Sequence, residues 1–213
     1  MSTELNHYYS IKEERLNILT HAFGLLLSVV ALPLLIIKSF HYEGFWKPAS
    51  LVIYALSLIL LYAASTFYHS AKEDSKRRKL NILDHAAIYV LIAGTYTPFT
   101  IITLDGVLGW IIFATTWIFA MLGIILKLFF TGRFDKLSTA MYLLMGWQIV
   151  FVFKTLMENI APEGLDLLIY GGIFYSVGAV FYSIKKIKYN HAIFHVFVVM
   201  GSLCHFFTVF YYL

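Results

Sequence analysis

Residues 48–68 read PASLVIYALSLILLYAASTFY, a run without a single charge. A helix of that length spans roughly 30 Å, the thickness of a bilayer's hydrocarbon core. Its apolar residues are continuous rather than alternating, and the run is about twice as long as a barrel strand, so a β-barrel is a poor alternative. Six further runs share this character: Leu16–Ile37, Ile82–Leu104, Val107–Leu126, Leu137–Phe153, Leu167–Ile184 and about Ala192–Tyr212. The fifth is short and reaches Leu156 if the Lys154 stem stretches toward the membrane surface. Loops between the runs are short, and no linker interrupts them. The expected fold is an all-α, polytopic seven-helix bundle forming one integral membrane domain over 1–213. Pro33 and Pro98 lie inside their helices and are expected to kink them, whereas Pro48 suits a first turn.

Composition excludes a water-soluble domain. Of the 213 residues 60% are apolar and only 13% charged, against roughly 25% charged in soluble domains. The polar start, Met1–Arg15, carries Glu4, Glu13 and Glu14 and lacks the features of a cleaved signal, so the first apolar run is read as a retained span. The net charge of +4 comes from short basic clusters between apolar runs, which suit a membrane surface better than nucleic acid. Cys204 is the single cysteine, which rules out an internal disulfide; it is read as a small packed hydrophobe.

Thirteen of the sixteen Lys/Arg fall on one side of the seven-span arrangement: Lys12 and Arg15; Lys72, Lys76, Arg77, Arg78 and Lys79; Lys127, Arg133 and Lys136; Lys185, Lys186 and Lys188. Only Lys38, Lys47 and Lys154 fall on the other. The positive-inside rule then predicts a cytoplasmic N-terminus and an outside C-terminus, in the plasma (inner) membrane.

Ionisable groups inside spans are costly unless paired, hydrated or metal-bound, so each is a site candidate. Glu14, Asn17 and His21 share one face at the inner end of the first helix, by their spacing of three and four. Ser65 and His69 end the second helix; Asn81, Asp84 and His85 open the third; His191 and His195 open the seventh. Four helices therefore bring polar residues to one layer. Asp105, Glu158, Glu163 and Asp166 at the other ends read as solvated. Two histidines four apart on a helix can aim at one metal, with zinc the natural choice for a His-rich set. His69 is the candidate third ligand, and Asp84 a base or a holder of the metal's water. The pair lacks the glutamate of HExxH. Its alternative reading is two histidines bonded to backbone or neighbours at the membrane interface. Ser65 can bond Asp84 or simply pack; a serine triad lacks a GxSxG elbow. Glu14, Asn17, His21 and His85 are candidates for the layer of residues that orients the ligands. His205 lies too far along its helix to share the metal and reads as a buried polar contact.

These pieces together carry a family pattern. Glu14-Arg-Leu-Asn17-Ile-Leu-Thr20-His21, Ser65-Thr-Phe-Tyr-His69-Ser70, Leu83-Asp84-His85 running to Ala93-Gly94-Thr95-Tyr96-Thr97-Pro98, and His191-Ala-Ile-Phe-His195 resemble the bacterial hemolysin III branch of the progestin and adiponectin receptor superfamily. The resemblance implies seven helices, an inside N-terminus, and zinc held near the cytoplasmic face by His69, His191 and His195 with Asp84 and Ser65 beside it. It also implies a relation to alkaline ceramidases, which cut a lipid amide. Unlike the adiponectin receptors, the chain has almost no N-terminal domain.

Three functions follow as expectations. The first is a zinc-dependent membrane hydrolase that attacks a lipid amide or ester through a zinc-bound water, with Asp84 as proton acceptor and Ser65 orienting it. The second is a non-enzymatic receptor or regulator of membrane state with structural zinc. The third is a channel, transporter or pore; against it, the polar layer lies mainly at one end, whereas a transport path should reach both faces. The family's name adds a lytic role as a weaker alternative. Membrane lipids are the expected partners in the first two, and nucleic acid in none.

Overall fold

The computed structural model of the chain describes residues 9–130 and 135–213, and the side chains of residues 135 and 136 are not among those described. Glu4 and Arg133 therefore lie outside the described residues, as does the Lys136 side chain. Helices α1 (Ile11–Ser39), α2 (Trp46–Ser70), α3 (Asp74–Pro98), α4 (Gly106–Phe130), α5 (Asp135–Gly146), α6 (Phe153–Asn159), α7 (Pro162–Ser183) and α8 (Asn190–Tyr212) follow one another along the chain. Among the described residues they supply seven spans long and apolar enough to cross a membrane. Five spans are built on one helix each, the third runs through α3 and the turn Phe99–Thr103 that follows it, and α5 and α6 share the fifth.

Local chemistry sets the ends. Ser10 caps α1 by accepting from the Glu13 amide at 3.3 Å, and Glu13 and Glu14 place negative charge where the helix dipole favours it. At the far end of the bundle, Lys38 Nζ donates to Phe210 O at 2.8 Å, tying the last turn of α1 to that of α8.

Three boundaries differ from expectation. α3 begins at Asp74 rather than Ile82, so Lys76, Arg77, Arg78 and Lys79 form its first turns instead of a loop. Lys and Arg are good helix formers, and a helix continues past the point where its apolar run ends. α4 runs on to Phe130, so Lys127, expected in a loop, lies within the helix at 2% exposure. The fifth span is not a continuous helix: Trp147 interrupts it and residues Gln148–Val152 form a 3-10 turn. Gly146 and the β-branched residues of QIVFV explain why the helix fails there. The break is matched inside the bundle. Tyr96 Oη donates to Gly146 O and accepts from the Ile149 amide, both at 2.8 Å, and Thr116 Oγ1 donates to Gln148 Oε1 at 2.9 Å. Backbone freed within a membrane needs such partners. Pro98 is followed directly by a π turn, Phe99–Thr103, whereas the α-helix continues unbroken past Pro33.

α8 packs along α7 and α1, α1 along α2, α2 along α3, and α3 along α4, while α5 meets α3, α4 and α7 more sparsely. The core holds Leu35, Leu51, Tyr54, Leu58, Leu91 and Val198. Large apolar side chains also cover the outside, such as Phe23, Leu26, Val29 and Val30 on α1, while Asn17, His21, Ser65, His69, Asp84, His191 and His195 are buried. That distribution suits lipid around the bundle and polar chemistry within it.

Candidate metal centre

The last turn of α2 and the first turns of α3 and α8 gather beside the first turns of α1. The entry to α8 is fixed by its backbone: Tyr189 takes a left-handed conformation (φ 60°, ψ 24°). Asn190 Nδ2 donates to Tyr182 O at 3.0 Å, covering an end carbonyl of α7. His191 follows at once, and His195 lies one turn later on the same face.

His69, His191 and His195 are buried at 3%, 6% and 1% exposure. One ring nitrogen from each lies within 4.8 Å of the other two. His69 Nε2 and His191 Nε2 are 3.1 Å apart. Two nitrogens sharing a tetrahedral zinc, each at about 2.0–2.1 Å, would stand about 3.4 Å apart, so the observed spacing fits a shared ion. No carboxylate among the described residues joins this set.

The other edge of each ring is held from one stretch of chain, residues 9–20. Glu14 Oε2 accepts from His69 Nδ1 at 2.7 Å. Asn17 O accepts from His195 Nδ1 at 3.3 Å, with Thr20 Oγ1 at 3.2 Å from the same nitrogen. Tyr9 Oη lies 3.1 Å from His191 Nδ1. Carbonyl and carboxylate can only accept, so His69 and His195 carry their protons on Nδ1 and present lone pairs at Nε2. A hydroxyl either accepts or donates. With a cation between the rings, Tyr9 accepts from His191 and all three Nε2 atoms are free to ligate. Without one, Tyr9 donates and His191 passes its Nε2 proton toward His69. Burial holds the Tyr9 phenol well above its ordinary pKa, so it keeps the proton this requires. Glu14 is itself held by Arg77 Nη2, and Arg77 Nη1 donates to Ala71 O at 3.3 Å at the end of α2.

The remaining candidates take distinct places. His21 stacks on His195 with ring centroids 3.5 Å apart and meets the edge of Tyr62, and neither of its nitrogens has a hydrogen bond among the described residues. Asn17 Nδ2 is 3.5 Å from His69 Nδ1. Ser65 and Asp84 line a cavity that the histidines also border. Ser65 Oγ is near enough to interact with Asp84 but has no bond of good geometry. His85 borders the same cavity and donates from Nδ1 to its own helix, at Asn81 O, 2.9 Å. His205 stands apart from the cluster, with Nε2 3.2 Å from Leu168 O, as a buried polar contact. Tyr9 and Arg77 were not anticipated. Tyr9 precedes the first helix and belongs to no periodic pattern, and Arg77 sits among like charges that read as a surface cluster.

The cavity, of about 160 Å³, runs from Ser65, Asp84, His191 and His195 to Tyr96 and His205. A second cavity, of about 430 Å³, shares Thr95, Tyr96, Trp147, Gly172 and His205 and reaches Val150 and Ile169, which are exposed on the outside of the bundle.

Known proteins resemble this chain over nearly its whole length. The sequence profile described as "Haemolysin-III related" matches residues 9–206. The chain is 47% identical to "Hemolysin-3" of Bacillus cereus, covering 95% of this chain and 92% of that protein. It is also 47% identical to the "Hemolysin-3 homolog" of Bacillus subtilis (strain 168), covering 96% of each. Similarity extends to the human "Monocyte to macrophage differentiation factor", at 30% identity over 94% of this chain and 84% of that one.

Proposed function

We propose that this chain, which belongs to the haemolysin-III related family, is a zinc-dependent membrane hydrolase acting on an amide or ester of a lipid. The observation that carries the reading is the set of three buried imidazoles whose outer nitrogens are all held by residues 9–20, with one ring nitrogen of each within 4.8 Å of the other two. His69, His191 and His195 would hold the ion. Three protein ligands are the count of a catalytic site, since structural sites usually have four. When bound, zinc supplies an activated water near neutral pH and a Lewis acid for a carbonyl.

The chain's own residues do the rest. Asp84, outside the ligand set but on the same cavity wall, takes a proton from the attacking water and returns it to the leaving amine or alcohol. Ser65 orients Asp84 or donates to the developing oxyanion. Glu14, Tyr9, Asn17 and Thr20 fix the imidazole tautomers, as outer partners of metal-bound histidines do. His21 buttresses His195 by stacking. The apolar cavities suit a lipid chain, and the opening beside Val150 and Ile169 lets it enter from the bilayer.

The site lies at the bundle end that carries Lys12, Arg15, Lys72 and Lys76, so the positive-inside rule puts it near the cytoplasmic face with the N-terminus inside. A second reading, structural zinc in a receptor or regulator, rests on the histidines joining α2 to α8. Assay of purified protein across lipid amides and esters, stripped by chelator and then given zinc, separates the two. The hydrolase reading expects turnover of at least one class that chelation abolishes and zinc restores. Zinc-loaded protein inert toward every class contradicts it.

A further inference from the structure

His205 sits ten residues beyond His195 on α8, about 15 Å along the helix. It is buried at 9% exposure and borders both cavities. Its Nε2 faces Leu168 O at 3.2 Å. A carbonyl only accepts, so Nε2 carries the proton of the neutral ring and Nδ1 is an acceptor. Nδ1 has no hydrogen bond among the described residues. The Cδ2–Nε2 edge is seated on α7 at Gly171, where any Cβ would overlap the ring, and Tyr175 packs at 5.4 Å between centroids. Nδ1 is on the opposite edge. Thr95 is a further polar residue bordering both cavities, and the walls around it are largely apolar.

An unmatched buried acceptor on a residue that borders two largely apolar cavities is unusual and calls for a donor. We infer that His205 is a second binding point in the cavity, accepting a hydrogen bond from a hydroxyl carried partway along a bound lipid chain. The inference rests on the lipid reading of the cavity given above and specifies its substrate class. With the scissile carbonyl at the histidine cluster, the hydroxyl falls about a dozen carbons along an extended chain, given the 15 Å separation. A plain saturated chain fills the same space without matching Nδ1.

The test is displacement of a fluorescent fatty acid from zinc-loaded full-length protein by 12-hydroxyoctadecanoic acid, its 12-methoxy ether and octadecanoic acid. The ether keeps the oxygen and the bulk but cannot donate. Wild type should favour the hydroxy acid over the ether by roughly three- to tenfold, the effect of one neutral hydrogen bond. His205→Leu should abolish that preference. His205→Gln, which retains both a donor and an acceptor, should keep part of it. Equal binding of hydroxy acid and ether by wild type overturns the inference while leaving the hydrolase reading intact. An unchanged preference in His205→Leu overturns it too. If none of the three acids displaces the probe, this inference fails and the lipid reading of the cavity fails with it.

Discussion

Glu14 and Tyr9 contribute no ligand, yet each holds the outer nitrogen of a histidine that does, Glu14 that of His69 and Tyr9 that of His191. Glu14 holds the Nδ1 proton of His69, so Glu14→Gln keeps the shape and removes the charge that makes Nε2 basic. Outer partners of this kind are typically worth 10–100-fold in metal affinity. Competition with a chromophoric chelator should show a loss in that range for Glu14→Gln. Tyr9→Phe should lose about tenfold, since His191 keeps its ring position but loses its Nδ1 partner. Affinity unchanged in both would show that residues 9–20 do not tune the site. Glu14, Asn17 and His21 were legible in the sequence because helical period forces residues three and four apart onto one face. Tyr9 was not, because it reaches His191 from outside any helix, and nothing in an isolated sequence reports a contact across so many residues.

At the scale of elements, the broken fifth span is where sequence reading fell short. Hydropathy measures the solvent a segment prefers, not whether its backbone is one helix, and LSTAMYLLMGWQIVFVF is uncharged and mostly apolar. The break was invisible because its partner, Tyr96, sits on α3. Likewise the start of α3 was placed too late because charge ended the apolar run but not the helix. Tyr96→Phe leaves Gly146 O and the Ile149 amide without their shared partner. It should cost about 1–3 kcal/mol of stability, read as a lowered unfolding temperature in detergent, while zinc content stays at the wild-type level. A loss of zinc instead would tie the break to the metal site.

For the whole molecule, seven apolar runs and their charged ends were legible because the bilayer imposes length and loop charge directly. Lys127 is the exception among the charges: it is buried within α4, so it is weak evidence for topology. The other basic residues still predict an inside N-terminus. In a Cys204→Ser background, Lys72→Cys should react with a membrane-impermeant maleimide in inverted vesicles and not in intact cells. Labelling of intact cells would reverse the orientation and move the histidine site to the outer face.

Metal analysis of purified wild type beside His69→Ala, His191→Ala and His195→Ala tests the shared site most directly. The account predicts about one zinc per wild-type chain, the stoichiometry of a single four-coordinate site, and a sharp fall in each variant that still folds. Folded His69→Ala and His191→Ala proteins that retain the full metal content would contradict it.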